Sequence, residues 1–198
     1  MKKNTDPPIL PFESVEPWQT WIAKNHSHAQ GVWLQIFKKD SGQRTVTYDE
    51  ALDVALCFGW IDGQKKSYNK ESFLQKFTPR RPKSVWSKRN QEHVARLIKS
   101  KRMKPAGLKA IEAAKKDGRW AQAYDSPKNM SVPKDFLNEL SKNKKAKEFF
   151  ETLNKANLYA IAWRLQTAKK TETREKRMKA MLATVSYTHL TLPTIYSV

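Results

Sequence analysis

Between Phe77 and Asn90 the chain reads FTPRRPKSVWSKRN, so Arg80, Arg81, Lys83, Lys88 and Arg89 surround Ser84, Trp86 and Ser87. Guanidinium and ammonium groups beside hydroxyls supply the charge-assisted donors that a phosphate or carboxylate needs. A helix beginning near Ser84 would add unpaired backbone N–H groups and the positive end of its dipole. Trp86 would offer a flat face to a base or sugar. The candidate anion site is therefore Arg80, Arg81, Lys83, Ser84, Trp86, Ser87, Lys88 and Asn90. A purely structural reading uses the same residues. In it Trp86 anchors a core helix, the arginines pair with acids, and Pro79 and Pro82 fix the passage from strand to helix.

Other residues extend or compete with this site. Asp62 lies in GWIDG, where Gly59 suits a helix C-cap and Asp62-Gly63 a tight turn. As a general base Asp62 would need a second catalytic group, and the sequence supplies none. Tyr124 follows GRW, and Arg174 and Arg177 sit in a second basic cluster, TAKKTETREKRM, where they could join Arg80 and Arg81 in one groove. That cluster also reads as a solvated helix with Glu172 in its first turn and Lys176 four residues later. No catalytic residue, cofactor or metal site is expected. His26 and His28 share a loop without a Cys or carboxylate cluster, and His93 stands alone on a helix. GxGxxG, P-loop, GxSxG and HExxH patterns are all missing, which removes the usual nucleotide-binding and hydrolase classes.

The balance of charge sets the class of partner. Of 198 residues, 38 are Lys or Arg and 19 are Asp or Glu, a net charge of +19. This predicts attraction to an anionic small molecule or to a polyanion, with nucleic acid bound nonspecifically. Cys57 is the single cysteine and lies in an apolar helical pattern, so it reads as a buried small hydrophobe. No apolar run is long enough for a signal peptide or a transmembrane helix, and the cytoplasm is the expected location.

The elements that must position these residues follow from periodicity. Ser14 is placed to cap a helix with Val15, Trp18, Trp21 and Ile22 on one face, and GVWLQIFKK alternates as a strand. Thr47 and Glu50 form a capping box before a helix that is apolar nearly all round, to about Phe58. Two strands follow around an Asn69-Lys70 turn. Beyond Pro82 everything reads as helix: a stripe of Trp86, Val94, Leu97 and Ile98, then Pro105–Gly118, a polar loop near Pro127, three further helices, and a last one capped by Thr171. The fold class is α+β, a small antiparallel sheet with packed helices in the N-terminal half and an all-helical C-terminal half. A single domain is expected over residues 1–184, sheet-bearing at about 12–80 and helical at about 84–183.

Several segments, in order, carry a family resemblance: TYDEALDVALCFGWIDG, FTPRRPKSVWSKRN, MKPAG, GRW with Tyr124, and AKKTETREKRMKAML. From Gly31 to Leu182 the chain resembles the bacterial YdeI/OmpD-associated family, also labelled bacteriocin-protection or OmdA. The resemblance implies association with an outer-membrane porin and tolerance of cationic antimicrobial peptides or other stress, and it brings no reaction. A chain of +19 would repel a cationic peptide rather than sequester it. The sequence therefore reads as a non-enzymatic binder of an anion. Two alternatives stand: an enzyme or sensor with a basic cleft around Asp62, Arg80, Arg81 and Tyr124, and a nonspecific nucleic-acid binder. The stretch Val185–Val198 has no charged residue, and its start coincides with a translated sequencing adapter, so it is expected to be a non-native tail.

Overall fold

The computed structural model of the protein describes residues 6–125, 129–168 and 170–186. The expected loop at Pro127 and the tail beyond residue 186 lie outside the described residues. The chain divides into two compact units. One comprises the chain through Ser84 together with Asn90–Ala121; the other comprises Val85–Arg89 and the chain from Gln122 onward.

In the first unit, strands β1 (Ile9–Pro11), β2 (Val32–Phe37), β3 (Trp60–Ser67) and β4 (Ser72–Pro79) form one sheet in the order β1-β2-β4-β3. The three longer strands pair antiparallel as expected; β1, flanked by prolines and unforeseen, joins β2 in parallel. Helix α1 (Val15–Asn25) carries Trp18 into the core, where its indole N–H donates to the Ala51 carbonyl at 3.1 Å. Its ring lies 5.6 Å from Trp21 and 5.7 Å from Phe77, and Trp21 meets the Trp60 ring edge-on. Rings of this size dominate core energetics, each costing about 3–5 kcal/mol when truncated. Ser14 occupies the expected N-cap position of α1, but its hydroxyl donates to Glu16 rather than accepting from a helix N–H.

Helix α2 (Tyr48–Cys57) begins with the expected capping box. Thr47 Oγ accepts from the Glu50 N–H, and the Glu50 carboxylate accepts from the Thr47 N–H. Ala51 through Cys57 are all buried, so α2 is the central helix. It stops at Gly59, whose φ of +75° only glycine adopts readily. In the β3–β4 hairpin, Asn69 Oδ1 accepts from the backbone of Glu71 and Ser72, which closes the turn. The register slips between Asp62 and Lys65, and Gln75 Nε2 donates to the freed carbonyls of Gly63 and Gln64. Strand β3 is an edge, and Lys65 and Lys66 on it blunt strand-to-strand association.

Helix α3 (Lys88–Lys99) begins four residues later than the expected start at Ser84. The chain from Pro82 to Trp86 is not helical: the Ser84 N–H donates to the Arg81 carbonyl in a turn. Helix α3 ends in a Schellman motif. The Arg102 N–H donates to Leu97 O and the Lys101 N–H to Ile98 O, with Lys101 at φ +56° where glycine is usual. Helix α4 (Pro105–Lys116) starts with proline in its first turn and ends before Gly118, at φ +76°.

In the second unit, Ser87 pairs with Tyr124 in a short parallel bridge. Helices α5 (Lys134–Ser141), α6 (Lys144–Glu151), α7 (Lys155–Gln166) and α8 (Thr171–Ser186) enclose Phe136, Leu140, Ala146, Ile161, Leu165, Met181 and Val185. Asn143 and Asn154 cap α6 and α7 by accepting from the Ala146 and Asn157 N–H groups. Val185, the first residue of the expected non-native tail, is fully buried in this core.

Candidate functional site

Helix α4 presents Ala106, Lys109, Ala110 and Ala113 on one face, spaced to align over two turns. Their small side chains leave room, and a cleft of about 520 Å³ opens within the first unit. Its apolar walls are those alanines with Phe58, Trp60, Pro79 and Pro82. Its polar groups are Arg80, Arg81, Lys109, Arg119, Asp117, His26 and Ser27. Four cations thus face one carboxylate around an apolar floor. Apolar walls with a few convergent charged groups are the usual make-up of a small-molecule site.

The fold fixes the Arg119 side chain and the backbone of the loop that carries Arg80 and Arg81. Arg119 is only 7% exposed; its Nε lies 2.7 and 2.8 Å from the two Asp117 carboxylate oxygens, and its Nη1 donates to the Ser84 carbonyl at 2.9 Å. Gly118 turns the chain between Asp117 and Arg119. The Arg80 N–H donates to the Gly59 carbonyl, which ties the end of β4 to the end of α2. Ser84 Oγ accepts from the Arg81 N–H, and this holds the loop that carries both arginines. Trp60 Nε1 donates to His26 O, and the His26 ring lies 5.2 Å from Phe58. Arg81 and Lys109 are exposed, and among the described residues neither pairs with a carboxylate. The cleft combines an apolar lining with four cationic side chains and one carboxylate.

The sequence-derived site residues therefore part company. Arg80 and Arg81 line the cleft, and Ser84 supports it from its backbone and hydroxyl. Lys83 is exposed and does not line it. Trp86 is 2% exposed, so its ring offers no open stacking face. Ser87 belongs to the bridge with Tyr124, Lys88 pairs with Asp125 at 2.7 Å, and Asn90 is buried in α3. The first N–H of α3, that of Lys88, donates to Tyr124 O. Hydrogen bonds from Lys88 and then Gln166 hold the Asp125 carboxyl below its ordinary range.

Among the secondary candidates, Asp62 accepts from the Tyr48 hydroxyl at 2.8 Å and does not line the cleft. Tyr124 exchanges backbone hydrogen bonds with Trp86 and Lys88, and its ring meets Trp163 edge-on. Arg174 pairs with Asp135, and Arg177 donates to the Arg164 carbonyl and Thr167. Arg80 and Arg81 belong to one unit, Arg174 and Arg177 to the other.

Sequence reasoning missed Lys109, Arg119 and His26 as cleft residues. The helical spacing of Ala106, Ala110 and Ala113 with Lys109 was the available signal. It also missed a buried ionic cluster. Asp53, 6% exposed on α2, accepts from His93 Nδ1 and Arg96 Nη2, both at 2.7 Å, so His93 is not alone on its helix. Burial pushes the Asp53 carboxyl up, but the hydrogen bonds from Arg96 and His93 outweigh it and hold the group below its usual value.

Two family models match the chain. The first, described as a domain of unknown function (DUF8412), covers residues 10–110, just over half of the sequence. The chain belongs to the DUF8412 family. The cleft falls largely inside the DUF8412 match, with Ala113, Asp117 and Arg119 beyond its edge. The second model is described as bacteriocin-protection, YdeI or OmpD-associated, and covers residues 129–186, in the second unit. The expected resemblance to that family thus holds for this segment. The motifs TYDEALDVALCFGWIDG, FTPRRPKSVWSKRN and MKPAG lie under DUF8412 instead, and GRW and Tyr124 lie under neither model. No curated protein and no solved structure matches the chain.

Proposed function

We propose that this DUF8412 protein binds an organic anion, an apolar body bearing a carboxylate or phosphate, in the cleft between α4 and the loop that carries Arg80 and Arg81. It does so without covalent chemistry. The observation that carries the reading is the convergence of Arg80, Arg81, Lys109 and Arg119 on a floor of alanine, Phe58 and Trp60. Arg119 is held in place before any ligand arrives, so little ordering cost remains at that end. Asp117, the one carboxylate in the lining, is engaged by Arg119, which leaves the cations in excess and favours the binding of an anion.

The bacteriocin-protection description attached to residues 129–186 gives a setting of stress tolerance, in which the chain would act as a sensor or carrier of an anion. Sequestering a cationic peptide does not fit a chain of +19. A thermal-shift panel of aromatic and aliphatic carboxylates, phosphosugars and nucleotides at two salt levels tests the reading. Saturable stabilisation by one class, retained at the higher salt, supports it. Stabilisation by every anion alike, vanishing with salt, would reduce the protein to a nonspecific polyanion binder.

A further inference from the structure

A second and smaller pocket lies elsewhere in the first unit, and the organic-anion cleft does not account for it. Its volume is about 180 Å³, and it is lined by Gln19, Val54, Cys57, Phe58 and the loop cations Lys101, Arg102 and Lys104. Three cations within four residues of sequence meet over one cavity. Lys101 stands at φ +56°, the position of the Schellman motif that glycine fills at no steric cost. Among the described residues no carboxylate pairs with Lys101 or Lys104. Arg102 reaches only one, Asp53, at a long 3.9 Å, and its side chain is 42% exposed. Asp53 is already committed to His93 and Arg96 at 2.7 Å.

The C-terminal carbonyls of α2 and α3 explain part of this clustering, because cations are favoured at helix C-termini. They do not explain all of it. The Cys57 carbonyl is satisfied by the Lys104 backbone N–H, and the Schellman bonds satisfy the end of α3, so the side chains are left over. Gln19, on α1, adds a neutral amide able to donate.

We propose that this pocket is a tetrahedral-oxyanion site, taking an inorganic phosphate or the phosphate group of a small monoester between Lys101, Arg102, Lys104 and Gln19. The cavity is too small for the organic anion assigned to the larger cleft and suits a single oxyanion. The site stands on its own residues and shares only Phe58 with that cleft.

The test is a titration of the full chain with inorganic phosphate and, separately, with a phosphate monoester, followed by amide resonances and referenced to chloride at equal ionic strength. Saturable shifts at Lys101, Arg102, Lys104 and Cys57 are expected. Affinity should fall about tenfold in Arg102→Gln and again in Lys104→Gln, the loss of one charge-assisted contact each. Arg81→Gln should leave it unchanged. Lys101→Gly should weaken phosphate binding while raising Tm, since it removes a charge and relieves the left-handed backbone. Saturation by inorganic phosphate alone identifies a free-ion site, and saturation by the monoester alone a site for a phosphorylated metabolite. Shifts that chloride reproduces, that stay linear in phosphate, or that keep the parent's affinity in Arg102→Gln and Lys104→Gln would overturn the proposal, as would their absence. If only the larger cleft is wrong, the carboxylates of its panel give no saturable stabilisation and these phosphate shifts remain.

Discussion

The backbone of Gly107 approaches the carbonyl of Cys57 so closely that a Cβ there would stand 2.3 Å from the oxygen. The first turn of α4 is thus pressed onto the last turn of α2. Gly59 answers from the other side, where a Cβ would lie 2.9 Å from the Ala106 carbonyl. This contact places the alanine face of α4 opposite Phe58 and Trp60, and so it shapes the cleft. Gly107→Ala should cost about 2–4 kcal/mol, because both atoms it meets first are backbone and cannot step aside. Chemical denaturation reads this directly, and a variant as stable as the parent would show that α2 and α4 can separate without cost.

Asp53→Asn should destabilise the protein by about 2 kcal/mol, since it removes a buried charge that pairs with His93 and Arg96. The partial exposure of Arg96 keeps the figure below that of a fully buried pair. The pH dependence has a fixed sign. A carboxyl whose value is lowered on folding adds stability above its unfolded value near pH 4, and that stability is lost as the pH falls through the folded value. Denaturation midpoints measured between neutral and acid pH should therefore drop more for the parent than for Asp53→Asn. Parallel curves would remove Asp53 from the account.

Trp86→Ala should lower stability by about 3–5 kcal/mol, as for other buried aromatic rings, while ligand affinity measured on the folded fraction stays within about twofold. Trp86→Phe should restore most of the stability. An affinity loss in Trp86→Phe, with stability kept, would instead make Trp86 a contact residue.

Much of the fold could be read from the chain because its local signals agree with one another. The Thr47–Glu50 capping box, the alternation in β2, the Asn69 turn and the Pro105 start of α4 each appear where the pattern puts them. Strand β1 was hidden because Pro8 and Pro11 disguise a segment of only three residues whose pairing comes from β2, far along the chain. The start of α3 was placed too early, near Ser84, because Ser84 spends its hydroxyl and its N–H on the Arg81 turn, a contact that local pattern does not reveal. Of the site, Arg80 and Arg81 were legible as dense charge after a strand. Their partners Lys109 and Arg119 were not, because a small-residue face on α4 gains meaning only once α2 and β4 are set against it. Trp86 and Asn90 are buried, Lys88 pairs with Asp125, and none of the three lines the cleft.

The central claim is that the cleft holds an organic anion through its exposed cations. The most direct measurement is calorimetric titration of the best-stabilising anion into the parent and into Arg81→Gln with Lys109→Gln. Both side chains are exposed, so the double variant should keep its Tm within about 3 °C of the parent. The account predicts a saturable single-site isotherm for the parent and an affinity at least tenfold weaker for the double variant, about 1.4 kcal/mol or more. Equal affinity in the two proteins would contradict it.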